Sequence, residues 1–171
     1  MKYSLLIVED EPVLRSLLVE ILENPELKIS EAENGKVAFE ILKTQKFDAV
    51  LSDIKMPMMD GLELLKAIRF EKILVPFIVL TGHGDREQTL QALKLGAFDF
   101  IDKPFEQDQL REVVQKALEI GHELNFWKDE IEALKNLGGM KSENTEKRIL
   151  AIENAIGLVG RHMIEPKKGS T

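Results

Sequence analysis

The sequence contains no cysteine, which excludes a disulfide framework and any metal site built on thiolates. It also lacks an apolar run long enough to cross a membrane, and acidic residues follow the short apolar start too early for a secretory signal. Basic residues are outnumbered by acidic ones, and the net charge is −7, with the acidic excess in residues 1–121. We therefore expect a cytoplasmic protein that binds neither nucleic acid nor a membrane.

What the sequence does contain is a regular alternation of two patterns. Hydrophobic residues make up 44% of the 171 residues, enough for the core of one domain with an appendage. Short apolar runs predict buried strands, and amphipathic segments between them predict helices. The order predicts an α/β fold with a parallel sheet covered by helices on both faces. The predicted strands are 3–8, 28–32, 47–52, 76–80 and 98–101, and the helices are 12–22, 35–43, 61–70 and 85–95, with Asp60 and Asp85 as N-caps.

Polar residues follow several of these strands directly. Glu9 and Asp10 come after the first strand, Asp53 after the third, Thr81 after the fourth and Lys103 after the fifth. Sites in such sheets form at the carboxyl ends of the strands, so the three carboxylates should meet in one crevice. Their mutual repulsion and their oxygen ligands favour a bound Mg²⁺. The Thr81 hydroxyl and the Lys103 ammonium group, on the other side of the crevice, suit an anion.

Four segments carry a resemblance to a known family: "LLIVEDEP", "LSDIKMPMMDG", "PFIVLTGHGD" and "GAFDFIDKPF". In order and spacing they resemble the receiver domain of two-component response regulators, the CheY-like fold, over about residues 3–120. The resemblance implies a flavodoxin-like, doubly wound, five-stranded parallel sheet of strand order 2-1-3-4-5. It also implies a phosphorylation-controlled switch protein.

The resemblance assigns a role to each residue of the crevice. Asp53 would be the phosphoacceptor, taking a phosphoryl group from a sensor histidine kinase or a phosphotransfer protein. Glu9, Asp10 and the backbone carbonyl of Lys55 would bind Mg²⁺ together with Asp53. Such a protein is not an ordinary enzyme, but a phosphoacceptor that catalyses its own phosphorylation and dephosphorylation.

The remaining matched positions concern the phosphoryl group and its readout. Thr81 would hydrogen-bond a phosphoryl oxygen, and Lys103 would neutralise its charge. Phe100 matches the switch aromatic, which moves inward together with Thr81. The bond between Lys103 and Pro104 matches one that is usually cis in this family.

A longer last helix departs from a typical receiver. We divide the chain into a receiver domain (1–121), a coiled-coil-like extension of the fifth helix (122–137), a Gly-rich turn (138–141), a C-terminal helix (142–165) and a frayed end (166–171). Apolar residues recur in the tail at alternating spacings of three and four, which is the pattern of a heptad seam. The seam consists of Ile120, Leu124, Trp127, Ile131, Leu134, Ile149, Ile152, Ile156 and Val159.

An apolar stripe on a helix must be buried, and two arrangements would bury this one. In the first, two chains pair through the fifth helix and form a four-helix bundle; in the second, the tail closes on itself in a monomer. We favour the homodimer because the seam is built from large residues. No DNA-binding motif is found, so output through protein contacts is expected. Two alternatives are a receiver-like scaffold that does not switch and a phosphorelay transferase that uses His122.

Overall fold

The computed structural model of the protein describes residues 2–82, 84–136, 146–154 and 156. Five strands alternate with five helices, and residues 146–154 and 156 are helical as well. The strands are β1 (Tyr3–Val8), β2 (Leu27–Ala32), β3 (Ala49–Asp53), β4 (Phe77–Thr81) and β5 (Asp99–Asp102). The helices are α1 (Pro12–Leu22), α2 (Gly35–Thr44), α3 (Gly61–Phe70), α4 (Arg86–Lys94) and α5 (Gln107–Asn136).

The strands form one parallel sheet in the order β2-β1-β3-β4-β5, which confirms the predicted flavodoxin-like topology. In the register of the sheet, Val8 pairs with Ser52, and Asp53 pairs with Leu80. All strands therefore end at one edge, which we call the carboxyl edge; the opposite edge is the amino edge. No helix in the described part of the chain has the length and apolar character needed to cross a membrane.

The core consists of two apolar layers, one on each face of the sheet. Successive side chains of β1 point to opposite faces, so Leu6 and Val8 enter one layer while Leu5 and Ile7 enter the other. Apolar residues of α2, α3 and α4 complete the first layer, and those of α1 and α5 complete the second. Burial on both faces explains why the strands have continuous apolar runs without alternation.

The extension of α5 is anchored to the amino edge of its own sheet. Asn125 Nδ2 donates to the carbonyl of Phe47 and to Asp48 Oδ1, both at 3.0 Å. Gly121 allows the close approach, because a Cβ there would lie 1.6 Å from the carbonyl oxygen of Asp48. Farther along the helix, Lys128 Nζ donates to the carbonyl of Leu74 at 3.2 Å. The start of the extension is therefore tied to the receiver through residues that lie beside the predicted seam.

Seam residues are covered within a single chain. Leu124 and Ile131 of α5 and Ile152 of the segment 146–156 are buried. Ion pairs join the segment to α5, one between Arg148 and Glu130 and one between Lys135 and Glu153. Trp127, Ile149 and Ile156 are half-buried, as are Ile120 and Leu134. Val159, the turn 138–141 and most of the predicted helix 142–165 and end 166–171 lie outside the described residues.

The heptad pattern requires that the stripe be buried, but it does not identify the surface that buries it. Pairing between two chains stays a prediction, because a segment folded back on α5 belongs to both of the expected arrangements. Within the described residues, the amino edge contacts α5 at positions beside the stripe, and residues 146–154 are joined to the end of α5 by ion pairs.

Candidate functional site

Three carboxylates meet at the carboxyl edge of the sheet, as the order of the strands requires. Glu9 and Asp10 follow β1, and Asp53 ends the neighbouring strand β3. One carboxylate oxygen from each residue lies within 4.8 Å of the others. Glu9 and Asp53 are buried, with exposed fractions of 1% and 8%, whereas Asp10 is exposed. This set of oxygen ligands fits a divalent cation such as Mg²⁺.

Lys103 provides the positive charge that opposes this cluster. Its Nζ lies 3.1 Å from both Glu9 Oε2 and Asp53 Oδ1. Burial raises the pKa of Asp53, and Lys103 only partly offsets that effect. Burial and the charge of Asp53 likewise raise the pKa of Glu9. Burial by itself would lower the pKa of Lys103, but the two carboxylates outweigh it and raise that pKa. The lysine therefore remains an ammonium group inside the site.

The hydroxyl of Thr81 is engaged by the neighbouring strand in this structure. Thr81 Oγ1 donates a hydrogen bond of 2.7 Å to Asp102 Oδ1 at the end of β5. Beside it, Phe100 is 36% exposed and lines a cavity of about 450 Å³ together with Leu90 and Leu93 of α4. There is thus room for the Phe100 ring between β5 and α4. The peptide bond between Lys103 and Pro104 is cis.

Two loops are linked across the site by an ion pair that the sequence did not predict. Lys55, in the loop after β3, pairs with Asp85 at the start of α4. Asp85 also accepts the N–H of Gly82 at 2.8 Å, and it makes no side-chain capping bond to α4. Asp85 thus occupies the predicted N-cap position, but its side chain does not cap the helix, because the carboxylate is used across the loop. Asp60, by contrast, caps α3 in a full capping box.

The geometry described so far is matched by a known family. Residues 5–115 match the family described as the response regulator receiver domain. The chain belongs to this family. The resemblance noted in the sequence is thereby confirmed, and residues beyond 115 lie outside the match.

Several curated response regulators are similar over the same part of the chain. The transcriptional regulatory protein FixJ of Bradyrhizobium diazoefficiens is 32% identical over 117 residues, which are 68% of this chain and 57% of FixJ. The response regulator protein PilR of Pseudomonas aeruginosa is 40% identical over 115 residues, 67% of this chain and 26% of PilR. The chain thus spans between a quarter and somewhat over half of the relatives that it matches.

Solved receiver domains have the same fold. FixJ-N superposes with a TM-score of 0.64 at 34% identity, covering 68% of this chain and 94% of FixJ-N. The receiver domain of a sensor histidine kinase from Pseudomonas aeruginosa superposes with a TM-score of 0.60 at 29% identity, covering 68% of this chain and 98% of that domain. In that structure a magnesium ion is coordinated in the active-site cleft.

His122 lies at the opposite end of this receiver from the acidic cluster. Its Nδ1 is 3.5 Å from Asp48 Oδ1, and its ring packs edge-on against Tyr3. Asp48 directly precedes β3 and Asp53 ends it, a separation of about 16 Å at the rise of a strand. A phosphoryl group on His122 could therefore not reach Asp53 of the same chain. The residues that sequence reasoning missed are Asp85, Asp102 and Asp48, whose partners are distant in sequence.

Proposed function

We propose that this protein is a response regulator whose Asp53 accepts a phosphoryl group from the phosphohistidine of a sensor kinase or phosphotransfer protein. The observation that carries the proposal is the position of Asp53, between two other carboxylates and 3.1 Å from the Lys103 ammonium group. Such an arrangement suits a nucleophile that must receive a highly charged group. It does not suit a carboxylate with a purely structural role, because its charge is repelled by the neighbouring acids.

The reaction we propose is a direct displacement at phosphorus. A carboxylate oxygen of Asp53 forms a bond to phosphorus while the bond to the histidine nitrogen breaks; the ring, which carries a proton on its other nitrogen, takes the electron pair and leaves as neutral imidazole, and an acyl phosphate remains on Asp53. Asp53 Oδ1 already accepts the N–H of Ile54 at 2.9 Å and faces Lys103. We assign the attack to Oδ2 for that reason. Lys103 then neutralises charge on the transferred group, which is most of what phosphoryl transfer requires of a protein.

A magnesium ion bound in the crevice would add charge neutralisation to that of Lys103. Glu9, Asp10 and Asp53 would hold it, together with the backbone carbonyl of Lys55. Of the acids, Asp10 is the exposed one and the better placed for direct contact with an entering ion, whereas Glu9 is already engaged by Lys103. This difference supports a direct role for Asp10 and a role through water for Glu9.

Readout of the phosphoryl group would begin at Thr81. Its hydroxyl must leave Asp102 to reach a phosphoryl oxygen on Asp53, and this movement would vacate space beside Phe100. The ring of Phe100, which is partly exposed in this structure, would then move inward toward α4. Phe100 has no hydroxyl, so its signal consists of the change in burial alone.

For the output we propose protein contacts of the receiver and its tail. The contacts of Leu124, Ile131 and Ile152 within one chain support the monomeric arrangement over the homodimer. The homodimer through α5 stays as the competing arrangement; in it the final helices also fold back, and two chains pair into a four-helix bundle. Neither arrangement makes Asp53 depend on a second chain.

Intact-mass spectrometry after incubation with acetyl phosphate and Mg²⁺ tests the phosphoacceptor. We expect one phosphoryl adduct in the native chain and none in Asp53→Asn. A matched control is Asp108→Asn, which removes an exposed acid of α5 and should leave the adduct unchanged. An adduct that persists in Asp53→Asn and disappears in His122→Ala would support the transferase instead. No adduct in any variant would favour the scaffold that does not switch.

A further inference from the structure

Several charged side chains lie in the loops around the site. Among those without a role in the proposed phosphotransfer, Asp85 is the most deeply buried. Its side chain is 3% exposed, and its two oxygens have different partners. Oδ2 accepts the N–H of Gly82, the residue after Thr81, at 2.8 Å. Oδ1 faces Lys55 and has no hydrogen bond to any other described residue. The backbone beside Thr81 is therefore held by a carboxylate whose charge is balanced by Lys55.

Lys55 is the exposed member of this ion pair. Its side chain is 62% exposed, and the residue lies two positions after Asp53 in the loop that follows β3. Burial would raise the pKa of Asp85, but the Lys55 ammonium and the Gly82 N–H reverse the effect and lower it. The carboxylate is thus ionised, and it would lose its balancing charge if Lys55 turned elsewhere.

We infer that Lys55 exchanges Asp85 for the phosphoryl group when Asp53 is phosphorylated, and that Asp85 is the positioning residue that holds the Thr81 loop in its resting place. A phosphoryl group on Asp53 carries more negative charge than the Asp85 carboxylate does. The long side chain of Lys55 can turn its ammonium group from one to the other. Once Lys55 has moved, Asp85 Oδ1 is a buried anionic oxygen without a partner, which is unfavourable. That imbalance favours movement of the Asp85 carboxylate into water, which releases the N–H of Gly82 and lets Thr81 leave Asp102.

This inference rests on the proposed phosphoacceptor and makes Asp85 a competitor of the phosphoryl group. The competition predicts opposite effects of two substitutions. Asp85→Asn keeps an acceptor for Gly82 but frees Lys55, so the phosphorylated conformation should form more readily. Lys55→Met removes the ammonium group from both of its partners while leaving the Lys55 carbonyl in place; because the phosphoryl group is the stronger partner of the two, that conformation should form less readily.

Calorimetric titration with beryllofluoride, a phosphoryl mimic, in the presence of Mg²⁺ measures both effects on the full chain. We expect Asp85→Asn to bind about threefold to fivefold more tightly than the native chain, and Lys55→Met to bind more weakly by a similar factor. In the double variant, Asp85→Asn should no longer tighten binding, because no ammonium group is left to be freed. Lys43→Met, which breaks an exposed ion pair on α2, should leave the affinity unchanged.

Equal tightening by Asp85→Asn with and without Lys55 would overturn the exchange, since it would show that Asp85 acts through its charge alone. An unchanged affinity in Asp85→Asn would overturn it as well. If the native chain binds beryllofluoride normally, either result leaves the proposed role of Asp53 as phosphoacceptor unaffected. Failure of the native chain to bind beryllofluoride would instead refute the proposed function, and the exchange with it.

A second readout separates positioning from loop stability. Amide exchange at Gly82 should speed up in the native chain when beryllofluoride binds, because Asp85 then releases its N–H. In Lys55→Met this acceleration should be smaller at saturating beryllofluoride. Acceleration of the same size in both chains would contradict the exchange.

Discussion

Asp53 combines two demands that conflict at the level of a single residue. A nucleophile for phosphate has to be ionised, yet burial and the neighbouring acids raise the pKa of Asp53 and that of Glu9. Lys103 resolves part of the conflict from 3.1 Å away. The remainder is an unfavourable negative charge in the folded protein that a bound cation would relieve. The site is therefore expected to be destabilising when it is empty of cations.

The raised carboxyl pKa values set the sign of a pH effect. For an acid whose pKa is higher in the folded state, the stability it contributes is present below its ordinary pKa and is lost as the pH rises through the folded value. Without Mg²⁺, we expect Asp53→Asn to be more stable than the native chain at pH 7 by about 1 kcal/mol. The difference should vanish at pH values below the ordinary carboxyl range.

Urea unfolding of both chains at several pH values, with and without Mg²⁺, measures this difference. Adding Mg²⁺ should narrow the gap at pH 7, because only the native chain has the full set of three carboxylates. Asp108→Asn is the control for a general effect of losing one acid. Equal stabilities of Asp53→Asn and the native chain at pH 7 would show that Lys103 compensates the buried charge in full.

Arg69 is a second residue whose charge is taken out of water, here for a structural purpose. Its guanidinium donates to the carbonyls of Ile73, Val75 and Gly96 at 2.8–3.0 Å, and burial lowers its pKa to about 10. We expect Arg69→Met to destabilise the protein by about 2–4 kcal/mol, because three carbonyls lose their donor. Chemical denaturation gives the value, and Arg111→Met, with a half-exposed guanidinium, is the comparison. A loss below about 1 kcal/mol would mean that water replaces the guanidinium.

At the scale of the elements, α5 is the unusual one. Its 30 residues extend about 45 Å, so it covers one face of the sheet and then continues across the amino edge. The crossing depends on a short stretch in which Gly121 permits contact and Asn125 satisfies the carbonyl of Phe47 and the carboxylate of Asp48. The extension is thereby part of the receiver's own packing and not a free arm.

Replacement of Gly121 by alanine tests the contact between α5 and the amino edge. A Cβ at this position would overlap the carbonyl of Asp48, so the helix must move away, at a cost of about 1–3 kcal/mol. We expect faster amide exchange in residues 121–129 of Gly121→Ala. Glu123→Ala, on the exposed side of the same turn, should leave exchange there unchanged. Unaltered exchange in Gly121→Ala would mean that the helix accommodates the methyl group without moving.

The elements themselves could largely be predicted from the sequence, because apolar runs and amphipathic periods are local signals. The bounds of β1, α1 and α3 agree with the prediction, whereas β3 begins at Ala49 and not at Phe47. The predicted strand included Phe47 because it is apolar, but Phe47 is buried at the amino edge before the strand starts. The ion pair of Asp85 and the burial of Leu124 could not be predicted, since both depend on partners from other parts of the chain.

For the whole molecule, the covered seam makes a prediction about mass in solution. Leu124, Ile131 and Ile152 are buried in one chain, so the centre of the apolar seam is already covered without a second copy. We expect light scattering after size exclusion to give the mass of a monomer at micromolar concentration, with or without beryllofluoride. A dimer that Ile131→Asp dissociates would contradict the closed tail and restore the four-helix bundle.

The contact between Gly121 and Asp48 has a consequence for how the chain melts. A boundary drawn after residue 121 would cut through the helix that covers the carbonyls of Phe47 and Leu74, and would leave both exposed to water. The extension through Lys128 should consequently unfold together with the sheet in one cooperative transition. A chain shortened to 121 residues should melt at a lower temperature than one that ends at Asn136, although both retain the entire acidic cluster.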